Sequence, residues 1–163
     1  MAKTFIDTHI STPYTRKIRV GWLKKVANAA MEVSLKSPHL ADLEKQDRRL
    51  SLVITDDNTI RRLNLEFRGL DYVTDVLSFS TISQASGEGG HVENPQNHSA
   101  EQFPIPPYEP QPLGEVIISY PQGERQALAL GKEIKEELSL LVVHGVLHLL
   151  GYDHGSLEEE TSM

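Results

Sequence analysis

No cysteine is present in the 163-residue sequence. A disulfide framework and thiolate metal ligands are therefore excluded, and any transition-metal site must be built from histidine and carboxylate side chains. The lack of cysteine also fits a reducing compartment, where disulfide bonds do not persist.

Long hydrophobic runs are missing as well. The longest apolar run, residues 138–150, contains two histidines and is too short to span a bilayer. Residues 1–7 lack the apolar core of a signal peptide. We therefore expect a soluble, cytoplasmic protein with no membrane association.

The sequence also lacks a net positive charge, since 16 lysines and arginines face 23 aspartates and glutamates, for a net charge of −7. A negative surface argues against broad, non-specific binding of nucleic acid, although it is compatible with a local basic groove. The length and the hydrophobic content of 39% favour a single domain, residues 1–163, with a substantial core.

Hydrophobic periodicity predicts strands and helices in turn along this domain. Strands are predicted at residues 5–10, 49–55, 75–80 and 113–119, the first of them at a sheet edge. Helices are predicted at residues 19–35, 58–67, 121–130 and 132–150, the second of them capped by Asp56 or Asp57. A strand, a crossover helix and another strand form a right-handed unit, so we expect the first two strands to be parallel. The last two strands are expected to pair as a hairpin.

Residues 81–112 differ in composition from the rest of the chain. They hold six of the nine prolines and few aliphatic residues. This composition predicts a flexible, proline-rich loop insertion rather than a second domain. We interpret His91 and His98, which lie in it, as solvated.

Residues 141–154 form an apolar stretch that carries three of the seven histidines. His144 and His148 are four residues apart and would lie on one face of a helix. Gly151 can end this helix in the left-handed conformation, so that the chain turns and brings His154 back to the same face. Unpaired imidazoles buried on so apolar a helix would cost several kcal/mol. A metal site is therefore favoured over hydrogen-bonded core histidines.

Three imidazoles and an open position make a zinc site, which lowers the pKa of a water ligand towards about 7. The spacing also matches the H-x-x-x-H-x-x-G-x-x-H pattern of zinc proteases. Those enzymes need glutamate directly after the first histidine as general base, and this chain has Gly145 there. Peptide hydrolysis is therefore disfavoured.

Two acidic residues are candidates for supporting roles. Asp153 could orient a ligand imidazole, or it could be only a turn residue. Glu115 could be a base or an outer partner of the metal site, or it could be a solvated strand residue.

Three segments carry a family resemblance. Residues 144–154 read HGVLHLLGYDH, residues 63–71 and 74–79 read LNLEFRGLD and TDVLSF, and residues 113–119 read LGEVIIS. They resemble the motifs H-G-x-L-H-L-x-G-Y-D-H, L-N-x-x-Y-R-x-x-D-x-P-T-D-V-L-S-F and L-G-D-I-x-I-S of the YbeY family of bacterial endoribonucleases. The chain departs from these motifs at Phe67, Val73 and Glu115, where the family has tyrosine, proline and aspartate.

The resemblance implies an α+β single domain, with a small mixed β-sheet packed with helices. It implies a zincin-like site on a long helix and the following turn, with one Zn²⁺ per chain held by His144, His148 and His154. The family's characteristic arginine corresponds to Arg68, whose guanidinium could grip a phosphate bidentately. The alternative is that Arg68 is a surface residue at the end of its helix.

The resemblance also implies cleavage of single-stranded RNA in maturation of the 16S ribosomal RNA 3′ end and in ribosome quality control. We therefore hypothesise a metal-dependent endoribonuclease whose partners are ribosomal RNA and the ribosome or its associated proteins. The nucleophile could be water at the metal or the 2′-hydroxyl of the substrate, and the general base stays open. Two rival functions are a metalloprotease-like hydrolase and a non-catalytic, zinc-stabilised ribosome-assembly factor, which would unfold on chelation.

Overall fold

A computed structural model describes residues 1–82 and 109–152. The strands in these ranges are β1 (Thr4–Ile10), β2 (Arg48–Thr55), β3 (Val76–Ser80) and β4 (Gln111–Ser119). The α-helices are α1 (Val20–Ser34), α2 (Ala41–Glu44), α3 (Asp57–Arg68), α4 (Tyr120–Leu130) and α5 (Ile134–Leu149). The strands and helices predicted from the sequence are all present.

The four strands form one mixed sheet in the order β1-β2-β4-β3. β1 pairs with β2 in parallel, and β2 pairs with β4 in parallel. β3 pairs with β4 in the antiparallel sense. The predictions of a parallel first pair, a β3–β4 hairpin and an edge position for β1 are therefore confirmed.

The predicted loop at residues 81–112 is wrong at its C-terminal end. Gln111 and Pro112 belong to β4, where they pair with Arg48 and Arg49 of β2. Proline content misled the prediction, because a proline at the beginning of a strand disturbs few ladder hydrogen bonds. Residues 83–108 of the loop, with His91 and His98, lie outside the described residues.

A β-bulge follows at once in β4. Arg49 pairs with Pro112 and Leu50 pairs with Gly114, so Leu113 is an extra residue on β4. Gly114 has φ = 130°, and a Cβ there would overlap the carbonyl oxygen of Phe79. Glycine is therefore required where β3 and β4 approach each other at the bulge.

Helices cover both faces of the sheet. One face packs against α1 and α5, with buried residues that include Leu23, Leu52 and Val146. The other face packs against α3 through a smaller cluster of Ile60, Leu77 and Ile117. Side chains alternate along β3, so that Leu77 faces α3 while Val76 and Ser78 face α5.

The start of α3 resolves the choice between two predicted caps. The Asp56 side chain accepts a hydrogen bond from the Thr59 backbone N–H at 2.8 Å, which makes Asp56 the N-cap. Asp57 instead contacts the side chains of Ser119, at the end of β4, and of Arg125 in α4. Among the described helices, none is long and apolar enough to cross a membrane.

Candidate metal centre

Two imidazoles face each other on α5. The Nε2 atoms of His144 and His148 are 3.1 Å apart, and the ring planes meet at 64°. Two nitrogens bound to one tetrahedral zinc would be about 3.3 Å apart, since each Zn–N bond is about 2.0–2.1 Å. The same separation allows one ring nitrogen to donate a hydrogen bond to the other. The pair therefore fits a shared metal with little movement of either ring.

The edge strand β3 holds α5 in place beside these rings. Ser78 Oγ donates to the carbonyl oxygen of Gly145 at 2.9 Å, and Ser80 Oγ donates to that of Leu149 at 3.0 Å. The Leu149 carbonyl is one of the last four of the helix, which have no partner within it. The two hydrogen bonds thus hold the helix backbone on both sides of His148. Neither serine was predicted to have this role, although serines at alternate positions of a predicted strand were a usable signal.

The residue between the histidines explains how closely α5 approaches the sheet. A Cβ on Gly145 would overlap Val116 Cγ1 of β4, and it would lie 3.2 Å from Val76 Cγ2 of β3. The position that carries the general base in zinc proteases therefore has no room for a side chain here. This geometry agrees with the prediction against peptide hydrolysis.

The turn that ends helix α5 has Gly151 in the left-handed conformation, as the sequence predicts. Gly151 has φ = 89°, its N–H donates to the His148 carbonyl oxygen, and the Tyr152 N–H donates to that of Leu147. This pair of hydrogen bonds is the Schellman motif. The Tyr152 hydroxyl then donates to the Ser34 carbonyl oxygen at 3.1 Å, which fixes the chain against α1.

The predicted third ligand, His154, and its neighbour Asp153 lie outside the described residues. Within residues 1–82 and 109–152, no three histidine, aspartate or glutamate side chains form a metal-binding group. The three-histidine site therefore stays a prediction, of which two ligands have a compatible geometry.

Arg68 is the last residue of α3 and is exposed. Its helix covers the face of the sheet opposite to α5. The preceding Phe67 ring packs edge-on against Phe79 of β3, with centroids 5.1 Å apart. β3 is the edge strand of the described sheet, and it contacts α3 on one face and α5 on the other.

Glu115 lies in β4 and pairs with Phe79 across the β3–β4 ladder. Both residues point towards the α3 face, whereas the next residue, Val116, points towards Gly145 of α5. Glu115 is also exposed. This position favours the interpretation of Glu115 as a solvated strand residue over a role beside the histidines.

A charged network that was not predicted from the sequence lies at the carboxyl ends of β2 and β4. Arg125 donates two hydrogen bonds to the Asp57 carboxylate, at 2.8 and 2.9 Å, and the Ser119 hydroxyl donates a third at 2.8 Å. The hydrogen bonds from Arg125 and from Ser119 hold the pKa of Asp57 below its usual value, against the opposing effect of burial. No local pattern connects three residues so far apart in sequence.

Comparison with known proteins identifies the family of this chain. The family model described as "Endoribonuclease YbeY" matches residues 10–163. The chain is 40% identical to an Endoribonuclease YbeY of Dehalococcoides mccartyi over 97% of this chain and 83% of that protein. It is 42% identical to an Endoribonuclease YbeY of Shouchella clausii over 86% and 76% of the two chains. A Thermotoga maritima protein of known solution structure is more distant, with 23% identity, coverage of 92% and 75%, and a TM-score of 0.48. The chain belongs to the YbeY family of endoribonucleases.

Proposed function

We propose that this protein is a zinc-dependent endoribonuclease that cleaves single-stranded RNA. The observation that carries the proposal is the pair of Nε2 atoms 3.1 Å apart on α5. In a family of endoribonucleases, facing imidazoles at zinc-ligand separation are the expected ligands of a catalytic metal.

His144 and His148 would hold the zinc ion, with His154 as the third ligand and one ion per chain. Zinc in such a site acts as a Lewis acid on phosphoryl oxygens. The chain's own contribution is rigidity: Ser78, Ser80 and the Gly151 turn fix the histidine backbone before any substrate binds.

Arg68 would hold a phosphate of the substrate. Its guanidinium is exposed and forms no ion pair with any described residue, so it is available to an anion. Guanidinium remains charged at every physiological pH and can donate two parallel hydrogen bonds to one phosphate. Because guanidinium keeps its proton at physiological pH, a role in positioning the RNA is favoured over one in proton transfer.

We further propose that the substrate is ribosomal RNA, in maturation of the 16S 3′ end and in ribosome quality control. The net charge of −7 supports a ribosomal partner, because a negative protein gains little from non-specific attraction to RNA. The ribosome or its proteins would then supply part of the RNA contact.

The test combines zinc content with cleavage of a single-stranded RNA for four proteins: wild type, His148→Ala, Arg68→Ala and Arg62→Ala. Arg62 is a matched control, because it is exposed on the same helix and unpaired among the described residues. We expect His148→Ala to lose zinc and cleavage, Arg68→Ala to keep zinc and lose at least about tenfold in cleavage, and Arg62→Ala to resemble wild type. Cleavage by His148→Ala at the wild-type rate would refute the proposal. Tight zinc binding with no cleavage by wild type would favour the assembly-factor alternative.

A further inference from the structure

A basic cavity of about 180 Å³ lies at the carboxyl end of the sheet, away from the histidines. Lys17, Arg19 and Lys135 contribute its positive charge, and Trp22 and Tyr120 contribute aromatic rings. Lys135 is in the first turn of α5, nine residues before His144, which is about 14 Å along a helix axis. The cavity is therefore a separate site from the candidate metal centre.

The three cations of the cavity lack acidic partners. The ion pairs of the described residues are Arg49–Asp7, Arg61–Asp71 and Arg125–Asp57, and none involves the cavity. Of the acidic residues in the first turn of α5, Glu136 is exposed and Glu137 is buried, and neither forms an ion pair with a cation of the cavity. Three unpaired cations in one concavity are unusual in a chain of net charge −7, and they favour an anionic ligand.

Each lysine lies over an aromatic ring. Lys17 Nζ is 5.4 Å from the Tyr120 ring centroid, and Lys135 Nζ is 5.2 Å from that of Trp22. These cation–π contacts hold the ammonium groups at the cavity without neutralising them. The stacked rings of Tyr14 and Tyr120, with centroids 4.8 Å apart, support the same wall.

The backbone adds to the positive potential. The first turns of α1, α4 and α5 meet at the cavity, and helix N-termini favour anions. α1 has no side-chain cap and no acidic residue in its first turn. Tyr120 of the cavity wall directly follows β4, so the cavity lies at the carboxyl end of this strand, the side on which open parallel sheets bind ligands.

We propose that this cavity binds a phosphate of the single-stranded RNA, at a nucleotide outside the one presented to the histidines. Cationic side chains beside aromatic rings are the composition of single-strand nucleic-acid sites. The volume is below the range of about 300–1,000 Å³ that whole small molecules occupy. It suits one phosphate with part of its ribose. The inference rests on the proposed RNA substrate and deepens it.

Trp22 is the single tryptophan of the chain, so its fluorescence reports on this cavity alone. The zinc-loaded protein is titrated with a 2′-O-methyl oligouridine, checked by gel to remain intact, and with inorganic phosphate. We expect a saturable change in Trp22 fluorescence with the oligonucleotide. If inorganic phosphate binds as tightly as the oligonucleotide, the cavity is a free-phosphate site and the RNA assignment fails.

The variant Lys17→Ala/Arg19→Ala/Lys135→Ala removes the charge of the cavity. Its control, Lys24→Ala/Lys25→Ala/Lys36→Ala, removes the same charge from exposed positions on and after α1. We expect the cavity variant to bind at least about tenfold more weakly and with a shallower salt dependence, and the control to bind like wild type. If the triple variant does not fold, Lys135→Gln replaces it, with an expected loss of about threefold. Equal losses in the cavity variant and the control would overturn the proposal.

A cleavage assay run in parallel separates this proposal from the proposed function. Cleavage of RNA with no change in Trp22 fluorescence rejects the cavity and leaves the nuclease. A saturable Trp22 change that needs the three cations, with no cleavage, supports the cavity and rejects the nuclease.

Discussion

At the scale of single residues, Gly145 determines how closely α5 packs on the sheet. Helix α5 lies directly on β3 and β4 at this residue, with Val76 and Val116 where a side chain would be. The sequence showed that the protease base is missing. The packing adds that α5 could not keep its position with a glutamate there, because a tightly packed core tolerates few added atoms.

We predict that Gly145→Ala lowers the free energy of unfolding by about 1–3 kcal/mol, because the added methyl group collides with Val116. Urea denaturation measures the change. Gly21→Ala is the control, since a Cβ on Gly21 of α1 meets nothing within 4 Å. Because alanine has the higher helix propensity, we expect it to leave stability unchanged or raise it by up to about 1 kcal/mol. Adding Val116→Ala to Gly145→Ala should recover part of the loss. An equal effect of the two glycine substitutions would contradict this explanation.

At the scale of elements, the candidate site depends on α5, on the strand that holds it and on the turn that ends it. Ser78 and Ser80 donate to carbonyl oxygens on both sides of His148. The Schellman motif at Gly151 then directs the chain that leads to His154. Gly151 and the helix could be predicted from local sequence. The two serine contacts could not, since they join residues that are far apart along the chain.

We predict that Gly151→Ala lowers stability by about 1 kcal/mol, because alanine is strained at positive φ. The substitution should also weaken zinc binding, because in the proposed site this turn would bring His154 to the metal. Gly131→Ala is the matched control: Gly131 ends α4 in the same left-handed conformation, with φ = 65°. Its loss of stability should be similar, while zinc affinity, measured by competition with a chelating dye, should equal that of wild type. A loss of zinc affinity in both variants would show a general effect of stability instead.

At the scale of the whole molecule, the described fold has its own core. Buried side chains on both faces of the sheet, such as Leu52 and Ile60, pack without any contribution from the histidines. A metal at α5 would therefore add to a structure that hydrophobic burial already stabilises.

We predict that a chelator abolishes RNA cleavage but leaves the protein folded. Thermal unfolding followed by circular dichroism should show one cooperative transition, shifted to lower temperature. The shift reflects lost ligand binding, worth about 2.7 kcal/mol when free zinc is about 100 times its dissociation constant. Readdition of zinc should restore both the RNA cleavage and the higher unfolding temperature. Loss of the folded baseline on chelation would instead support a structural zinc, as in the assembly-factor alternative.

The sequence by itself determined the four strands, the four longer helices, two of the three strand pairings, the helix that carries His144 and His148, and the family, whereas the parallel β2–β4 pairing came only from the tertiary structure. These features depend on periodicity, capping residues and fixed spacings within one segment, which local chemistry controls. Only the tertiary structure decided that Gly145 is a contact position, that Glu115 faces away from α5, and that Lys17 and Lys135 share a cavity. Each of these joins residues distant in the chain, and their approach depends on how helices pack on the sheet rather than on any local pattern.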